Sequence, residues 1–184
     1  ESTDGQIFLN GEDITRVDRK KMHEINEKMQ IVFQDPYSSL NPRQTVEEII
    51  KEPLKLSGRY KKRAELDEKT EELMRLVGID ERLRLAYPHE LDGGRRQRVG
   101  IARALALSPD FIVCDEPVSA LDVSIQAQVL NLLQDLQQQR GLTYMFVTHD
   151  LSVVRHISDD ICVMYLGQLV ETSPAKELFA APLH

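Results

Sequence analysis

The sequence predicts an α/β protein, in which a parallel sheet is interrupted by an inserted segment made only of helices. Short apolar runs such as Phe111–Cys114 are typical of strands that are buried on both faces of a parallel sheet. Stretches with helical periodicity separate these runs from one another. Residues 43–108, by contrast, contain helical patterns and no strand signal, so we expect an all-helical insertion there.

The composition of the chain argues against several classes of function. The 184 residues include 23 basic and 30 acidic side chains, and the net charge of −7 gives no basic footprint for nucleic acid. No apolar run approaches the roughly 20 residues of a membrane span. Cys114 and Cys162 each lie inside an apolar run. We therefore expect both to be buried packing thiols in a reducing compartment, and not a disulfide or a metal site.

Periodicity, turn residues and helix breakers place the individual elements. In the first part of the chain we predict a strand at Gln6–Asn10 with a turn at Asn10–Gly11, a surface helix or loop at 16–28, a buried strand at Met29–Gln34, helices at 45–56 and at 62–77 (ended by Gly78), and a helix that follows Gly94 and runs to about Leu107. In the second part we predict a strand at 111–115, a helix capped by Asp122 and ended by Gly141, a buried strand at Leu142–Thr148, a helix at 151–157, a strand at Ile161–Leu166 in an antiparallel edge hairpin with Leu169–Thr172, and a last helix with Ser173 as N-cap and Pro174 at its first position. The expected division is an α/β core formed by residues 1–42 and 109–184, and a helical subdomain formed by residues 43–108.

Two carboxylates come together at the carboxyl end of a predicted strand. Asp115 and Glu116 end the apolar run, and Pro117 prevents a central strand from continuing. Open α/β sheets bind their ligands at this end of the strands. An acidic pair there suits Mg²⁺ chemistry, with one oxygen ligand for the metal and one base that orients a water molecule. The alternative for an isolated pair is a solvated acidic turn.

Other polar residues occupy equivalent positions. Gln34 and His149 each follow a predicted strand, so all three strand ends offer a side chain to a phosphate; individually, Gln34 could be a turn residue and His149 a helix cap. Gly93 and Gly94 precede a basic helix and expose backbone N–H groups at its positive end, which predicts an anion site. The alternative for the two glycines is a flexible entry into an ordinary helix.

In this order, the motifs resemble those of the nucleotide-binding domain of ATP-binding-cassette (ABC) transporters. Gln34 matches the Q-loop, Leu91–Gln97 the signature sequence, Phe111–Glu116 Walker B, Ser119–Asp122 the D-loop and His149 the switch histidine. The resemblance covers essentially the whole chain and implies a partial P-loop NTPase (RecA-like) sheet with an inserted helical subdomain. Residues 33–43 and 114–128 look like the ATPase subunits of oligopeptide and dipeptide importers, in particular the second, F-type, subunit.

The resemblance implies ATP and Mg²⁺ as cofactors of a full-length protein. By position, Asp115 would hold Mg²⁺ through water, Gln34 would sense the metal, Glu116 would orient and deprotonate the attacking water, and His149 would contact the γ-phosphate. Asp92, Gly93, Gly94 and Arg95 would contact ATP held by a second ABC ATPase subunit, in a homo- or heterodimer, and Asp122 would link the two sites. The implied partners are that subunit and membrane-spanning permease subunits, with no nucleic acid, at the cytoplasmic face of the cell membrane.

The sequence departs from the family pattern in two places. None of its 9 glycines is followed by lysine, so the Walker A loop is absent; we expect a fragment that does not bind ATP by itself. Asp92 and Arg95 stand where the family usually has serine and glutamine. A carboxylate repels a γ-phosphate by roughly 1 kcal/mol at 4 Å in water, an effect that Arg95 could offset.

Two other functions are compatible with parts of this pattern. An ABC ATPase that acts without a membrane, in DNA repair or translation, is disfavoured by the net charge of −7 and by the absence of a long coiled-coil insertion. The third possibility is an interaction fragment that binds partners but no nucleotide.

Overall fold

The fold is built on a parallel sheet with helices before, between and after its strands. It is seen in a computed structural model, which describes residues 4–183. In chain order the elements are β1 (Phe8–Leu9), β2 (Glu12–Asp13), α1 (Arg19–Lys28), β3 (Met29–Val32), α2 (Pro36–Ser39), α3 (Val46–Leu56), α4 (Arg63–Leu76), two 3-10 turns (Glu81–Leu83 and Pro88–Glu90), α5 (Gly93–Leu105), β4 (Phe111–Asp115), α6 (Val123–Arg140), β5 (Thr143–Val147), α7 (Leu151–Ile157), β6 (Asp160–Tyr165), β7 (Gln168–Pro174) and α8 (Ala175–Ala180). The predicted helices are confirmed to within two or three residues at their ends.

The central sheet is parallel and has the strand order β3-β4-β5. Met29 is the register partner of Phe111, and Phe111 is the partner of Thr143, so the three strands begin level with one another. Their carboxyl ends therefore lie along one edge of the sheet. Gln34, Glu116 and His149, the polar site residues that follow these strands, lie at that edge.

Local signals explain the helices that lie between β3 and β4. Thr45 and Glu48 form a reciprocal capping box at the start of α3. Gly78 ends α4 with a φ of +67°, a left-handed conformation that favours glycine, and Ile79 N–H donates to the Met74 carbonyl at 2.9 Å. Between residues 43 and 108 the structure contains α-helices and 3-10 turns and no strand, as predicted.

Within residues 4–183, one face of the sheet is fully buried and the other is partly exposed. Ile112 and Cys114 are completely buried and share the core with Val99 of α5 and Val129 of α6. On the opposite face, Met145 and Val147 are each 47% exposed. The prediction that these strands are buried on both faces is therefore wrong, because α5 and α6 pack against the same face.

The C-terminal strands do not extend the central sheet. β6 and β7 form a separate antiparallel pair, and Pro174 is the last paired residue of β7, opposite Asp160. The prediction that Ser173 caps α8 with Pro174 inside it is wrong, because strand pairing continues through both residues. Ala175 N–H donates instead to the Asp159 carbonyl at 2.8 Å.

The two cysteines lie in different environments. Cys114 is fully buried, and burial raises the pKa of its thiol to about 12. Cys162 is exposed, which contradicts the prediction for that residue. Its neighbours Ile161 and Val163 are half-buried on the other face of β6, since successive side chains of a strand alternate. Between residues 4 and 183, none of the helices is long and apolar enough for a membrane crossing.

Candidate functional site

The candidate site lies where the three parallel strands end. Asp115 is the last residue of β4, Gln34 lies two residues beyond β3 and His149 lies two residues beyond β5. The backbone N–H of Glu116 donates to the Val147 carbonyl at 2.8 Å, which continues the pairing of β4 with β5 by one residue. Glu116 is thereby held between the two neighbouring strand ends.

The structure brings three of the predicted residues into direct contact. The Gln34 Nε2 group donates to Glu116 Oε2 at 2.7 Å, and His149 Nδ1 lies 2.9 Å from Glu116 Oε1. We call Gln34, Glu116 and His149 the glutamate cluster. The hydrogen bond with His149 is the main reason that the pKa of Glu116 lies below its usual range, and partial burial opposes the shift. Glu116 is therefore ionised at neutral pH, and each of its oxygens has a partner.

An unusual backbone conformation turns Glu116 toward these partners. Its φ is +43°, in the left-handed region that non-glycine residues seldom adopt. The turn that follows is held by Ser119, whose N–H and hydroxyl both donate to the Glu116 carbonyl, at 3.2 and 3.1 Å. Strained residues of this kind occur mainly at functional sites. The conformation places a carboxylate over the strand end while the chain departs in another direction.

Two aspartates that the sequence analysis did not single out help to place Gln34 and His149. Asp35 accepts from the Tyr37 N–H at 2.8 Å and caps α2, whereas Asp150 accepts from the Ser152 N–H at 2.8 Å and caps α7. These backbone hydrogen bonds fix the turn beside each site residue. His149 is consequently not the cap of α7, which was the alternative for that residue. An aspartate directly before each helix was the available signal.

Asp115 is the fourth predicted site residue at the carboxyl ends of the strands, after the three residues of the glutamate cluster. Its side chain is half-buried at the end of β4, next to the glutamate cluster in sequence. The described part of the chain contains no group of three histidine, cysteine, aspartate or glutamate residues that could hold a metal ion.

The signature residues form a second group at the start of α5. Asp92 Oδ1 accepts from the Arg95 N–H at 2.8 Å as the N-cap, and Arg95 Nε lies 3.4 Å from Asp92 Oδ2. A Cβ on Gly94 would lie 2.5 Å from the Ile125 side chain, and a Cβ on Gly93 would lie 3.0 Å from a methyl group of Leu121. Gly94 is thus needed for the close packing of α5 against Ile125 of α6, whereas at Gly93 the end of the Leu121 side chain would have to move by only a few tenths of an ångström.

The two groups are separate within residues 4–183, since no hydrogen bond or ion pair joins Asp92 or Arg95 to the glutamate cluster. Asp122 is the N-cap residue of α6, as predicted, but its side chain accepts no capping hydrogen bond. Its carbonyl accepts from the Gln126 N–H at 2.8 Å, and the Gln126 side chain donates to the Leu121 carbonyl. Asp122 remains exposed beside the signature glycines.

The fold and the strand-end cluster define an α/β protein with a polar site at the carboxyl edge of a parallel sheet. The chain belongs to the ABC transporter family, whose family model matches residues 1–119. It is 56% identical over 185 residues to the oligopeptide transport ATP-binding protein OppF of Bacillus subtilis (strain 168) and 47% identical over 182 residues to the dipeptide transport ATP-binding protein DppF of Lactococcus lactis. The predicted family is therefore confirmed. The alignments cover 100% and 99% of this chain, but only 61% and 58% of those relatives.

Solved structures confirm the predicted fold class. The ATP-binding cassette MJ0796, in a dimeric post-hydrolysis state bound to ADP and Pi, superimposes with a TM-score of 0.82 at 30% identity, over 94% of this chain and 74% of that one. The cbiO1 component of the Clostridium perfringens cbiONQ transporter superimposes with a TM-score of 0.85 at 28% identity, over 97% of this chain and 69% of that one.

Proposed function

We propose that residues 1–184 are part of the ATP-binding and ATP-hydrolysing subunit of an ABC importer of oligopeptides or dipeptides. The observation that carries the proposal is the glutamate cluster, in which an ionised carboxylate is oriented by two side chains from neighbouring strands. The relatives support the substrate class, because OppF and DppF are named as oligopeptide and dipeptide transport ATP-binding proteins.

Glu116 is the proposed catalytic base. Its carboxylate would orient a water molecule and accept a proton from it during attack on the γ-phosphate. Gln34 and His149 hold the carboxylate from two sides, so little motion is needed before reaction. The His149 side chain is 77% exposed beyond the sheet edge, where it would also contact the phosphate.

The chemistry of the donor set fits Mg²⁺. This ion usually binds through one or two carboxylates together with phosphates and water, and does not need a cage of protein ligands. Asp115, through water, and the amide oxygen of Gln34 would hold it in the full-length protein. Once bound, Mg²⁺ would neutralise the phosphate charge.

The remaining proposed contacts lie between subunits. The start of α5, where Asp92 and Arg95 are exposed and Gly93 and Gly94 lie between them, would face ATP bound by a second ABC ATPase subunit, in a homo- or heterodimer, and Asp122 would link the two sites. The helical subdomain, residues 43–108, would dock membrane-spanning permease subunits, while residues 1–42 and 109–184 form the α/β core. This arrangement would place the protein peripherally at the cytoplasmic face of the cell membrane.

Nucleotide binding by the 184-residue chain and by the full-length protein tests this proposal. In a titration with a fluorescent ATP analogue and Mg²⁺, we expect saturable binding by the full-length protein only. The 184 residues contain no Walker A loop, whose backbone N–H groups and lysine supply most direct phosphate contacts. No binding by the full-length protein would refute the proposed function. Binding by the 184-residue chain tighter than about 100 µM would instead reveal a phosphate site within it.

A further inference from the structure

Helix α5 holds the segment that carries Gln34. Residues 33–40, which we call the Gln34 segment, contain only the four-residue helix α2, which is too short to be stable without tertiary contacts. Three side chains of α5 reach this segment: Gln97 Nε2 donates to the Phe33 carbonyl at 3.5 Å, the Arg96 guanidinium lies 4.9 Å from the centre of the Tyr37 ring, and Arg103 Nη1 donates to the Ser39 carbonyl at 2.6 Å.

Burial and charge show which of these contacts are strong. The Arg103 bond is short and charge-assisted, and it is made to a carbonyl in the last turn of α2, where backbone acceptors lack helical partners. Gln97 is 1% exposed, so its amide must find a partner inside the protein, and the carbonyl of Phe33 is immediately before Gln34. The two residues thus hold the Gln34 segment at both of its ends.

Another arginine of α5, Arg98, points toward a different part of the protein and serves as a comparison for Arg103. Arg98, next to Gln97 in sequence, donates through Nη1 to the Val77 carbonyl at 2.7 Å, at the end of α4. Arg98 and Arg103 therefore make the same kind of bond from the same helix, one to the helical subdomain and one to the Gln34 segment. Any effect that is special to the Gln34 segment should appear for Arg103 and not for Arg98.

We propose that Arg103 and Gln97 are positioning residues for ATP hydrolysis, which fix the Gln34 segment so that the Gln34 amide stays on Glu116. The inference rests on the proposed function. Because α5 begins at the signature residues and is continuous from Gly93 to Leu105, it also ties the signature to Gln34.

ATPase kinetics of the full-length protein test the proposal, with Arg103→Met compared with its matched control Arg98→Met. We expect Arg103→Met to lower kcat at least roughly tenfold, with the KM for ATP within about twofold, since a small displacement of a catalytic group is costly. Arg103→Lys should recover part of the loss, because lysine can donate to the same carbonyl. Arg98→Met should leave kcat within about twofold. Equal losses in both methionine variants, after correction for the folded fraction, would overturn the proposal.

A double-mutant cycle separates positioning from a general effect on folding. In a Gln34→Ala background, Arg103→Met should lower kcat by less than about twofold, because the residue through which it acts is already gone. An undiminished tenfold loss in that background would overturn the proposal. If Arg103→Met does not fold, Gln97→Leu enters the same cycle, and its loss of kcat should likewise fall below about twofold in the Gln34→Ala background. A wild-type protein that hydrolyses no ATP would refute the proposed function itself, whereas an active protein with an uncoupled Arg103 refutes only this inference.

Discussion

Glu116 and Asp92 are both carboxylates at the boundary of an element, but they obtain their partners in different ways. Glu116 is held by side chains that lie 82 and 33 residues away, in the loops that follow the neighbouring strands β3 and β5. Asp92 is held by Arg95, three residues further along its own helix. The first arrangement exists only when three strands are aligned. The second arrangement can form whenever α5 is helical.

Glu116 and Asp92 also differ in backbone conformation and in exposure. Glu116 has a φ of +43° and a side chain that is 22% exposed, whereas Asp92 has a φ of −71° and a side chain that is 57% exposed. The comparison indicates that the glutamate cluster depends on precise tertiary geometry. The signature depends on local capping together with the absence of a side chain at Gly94, which lies against α6.

The largest expected effect concerns the glutamate cluster. Glu116→Gln in the full-length protein should lower the rate of ATP hydrolysis by at least roughly 100-fold, because the amide keeps the shape of the carboxylate and loses the base. ATP affinity should change little, since Glu116 makes no direct phosphate contact in the proposed site. Steady-state hydrolysis and equilibrium ATP binding check the two parts. A rate within about twofold of wild type would exclude Glu116 as the base.

The next effect tests whether the signature needs its glycines for packing. Gly94→Ala should lower the free energy of unfolding by about 1–3 kcal/mol, because the new Cβ would lie 2.5 Å from the side chain of Ile125, whose branched rotamer is stiff. Gly100→Ala is the matched control on the same helix. Its Cβ would meet nothing within 4 Å, so alanine should stabilise the helix by up to about 1 kcal/mol. Chemical denaturation of the two variants measures both, and a loss in the control would contradict this account.

The smallest effect concerns the charge of Asp92. Asp92→Ser in the full-length protein should strengthen ATP-dependent dimerisation about fivefold, equivalent to roughly 1 kcal/mol, by removing a negative charge near the γ-phosphate. Serine and asparagine cap helices about as well as aspartate, so Asp92→Asn should behave like Asp92→Ser. Sedimentation with a slowly hydrolysed ATP analogue measures the association. Weaker association of both variants would mean that the Asp92–Arg95 ion pair is required and is not a source of repulsion.

The elements and the strand-end positions of the site residues were predictable from local patterns. Apolar runs ended by Gln34-Asp35-Pro36, by Asp115-Glu116-Pro117 or by Thr148-His149-Asp150 show where three strands stop. The burial of those strands was not predictable in the same way. An apolar run indicates that both faces of a strand can be buried, but in residues 4–183 the packing of α5 and α6 covers one face of the sheet.

An error arose where strand pairing opposed a local signal. Ser173 and Pro174 have the residue types of a helix start, but pairing with Ile161 and Asp160 keeps them in β7. That pairing replaced the local preference for an N-cap, which is worth only about 1 kcal/mol. Asp122, by contrast, occupies the predicted N-cap position, although its side chain accepts no capping hydrogen bond.

By itself, the sequence determined the order of the motifs, the missing Walker A loop, the capped start of α5 and the polar residue at each strand end, because each depends on residues that are close in the chain. Only the tertiary structure decided that Gln34 and His149 both contact Glu116, that Gly94 packs against α6, and that Arg103 reaches the Gln34 segment. Those contacts join residues far apart in the chain, so they depend on strand register and helix packing and leave no local pattern from which they could be inferred.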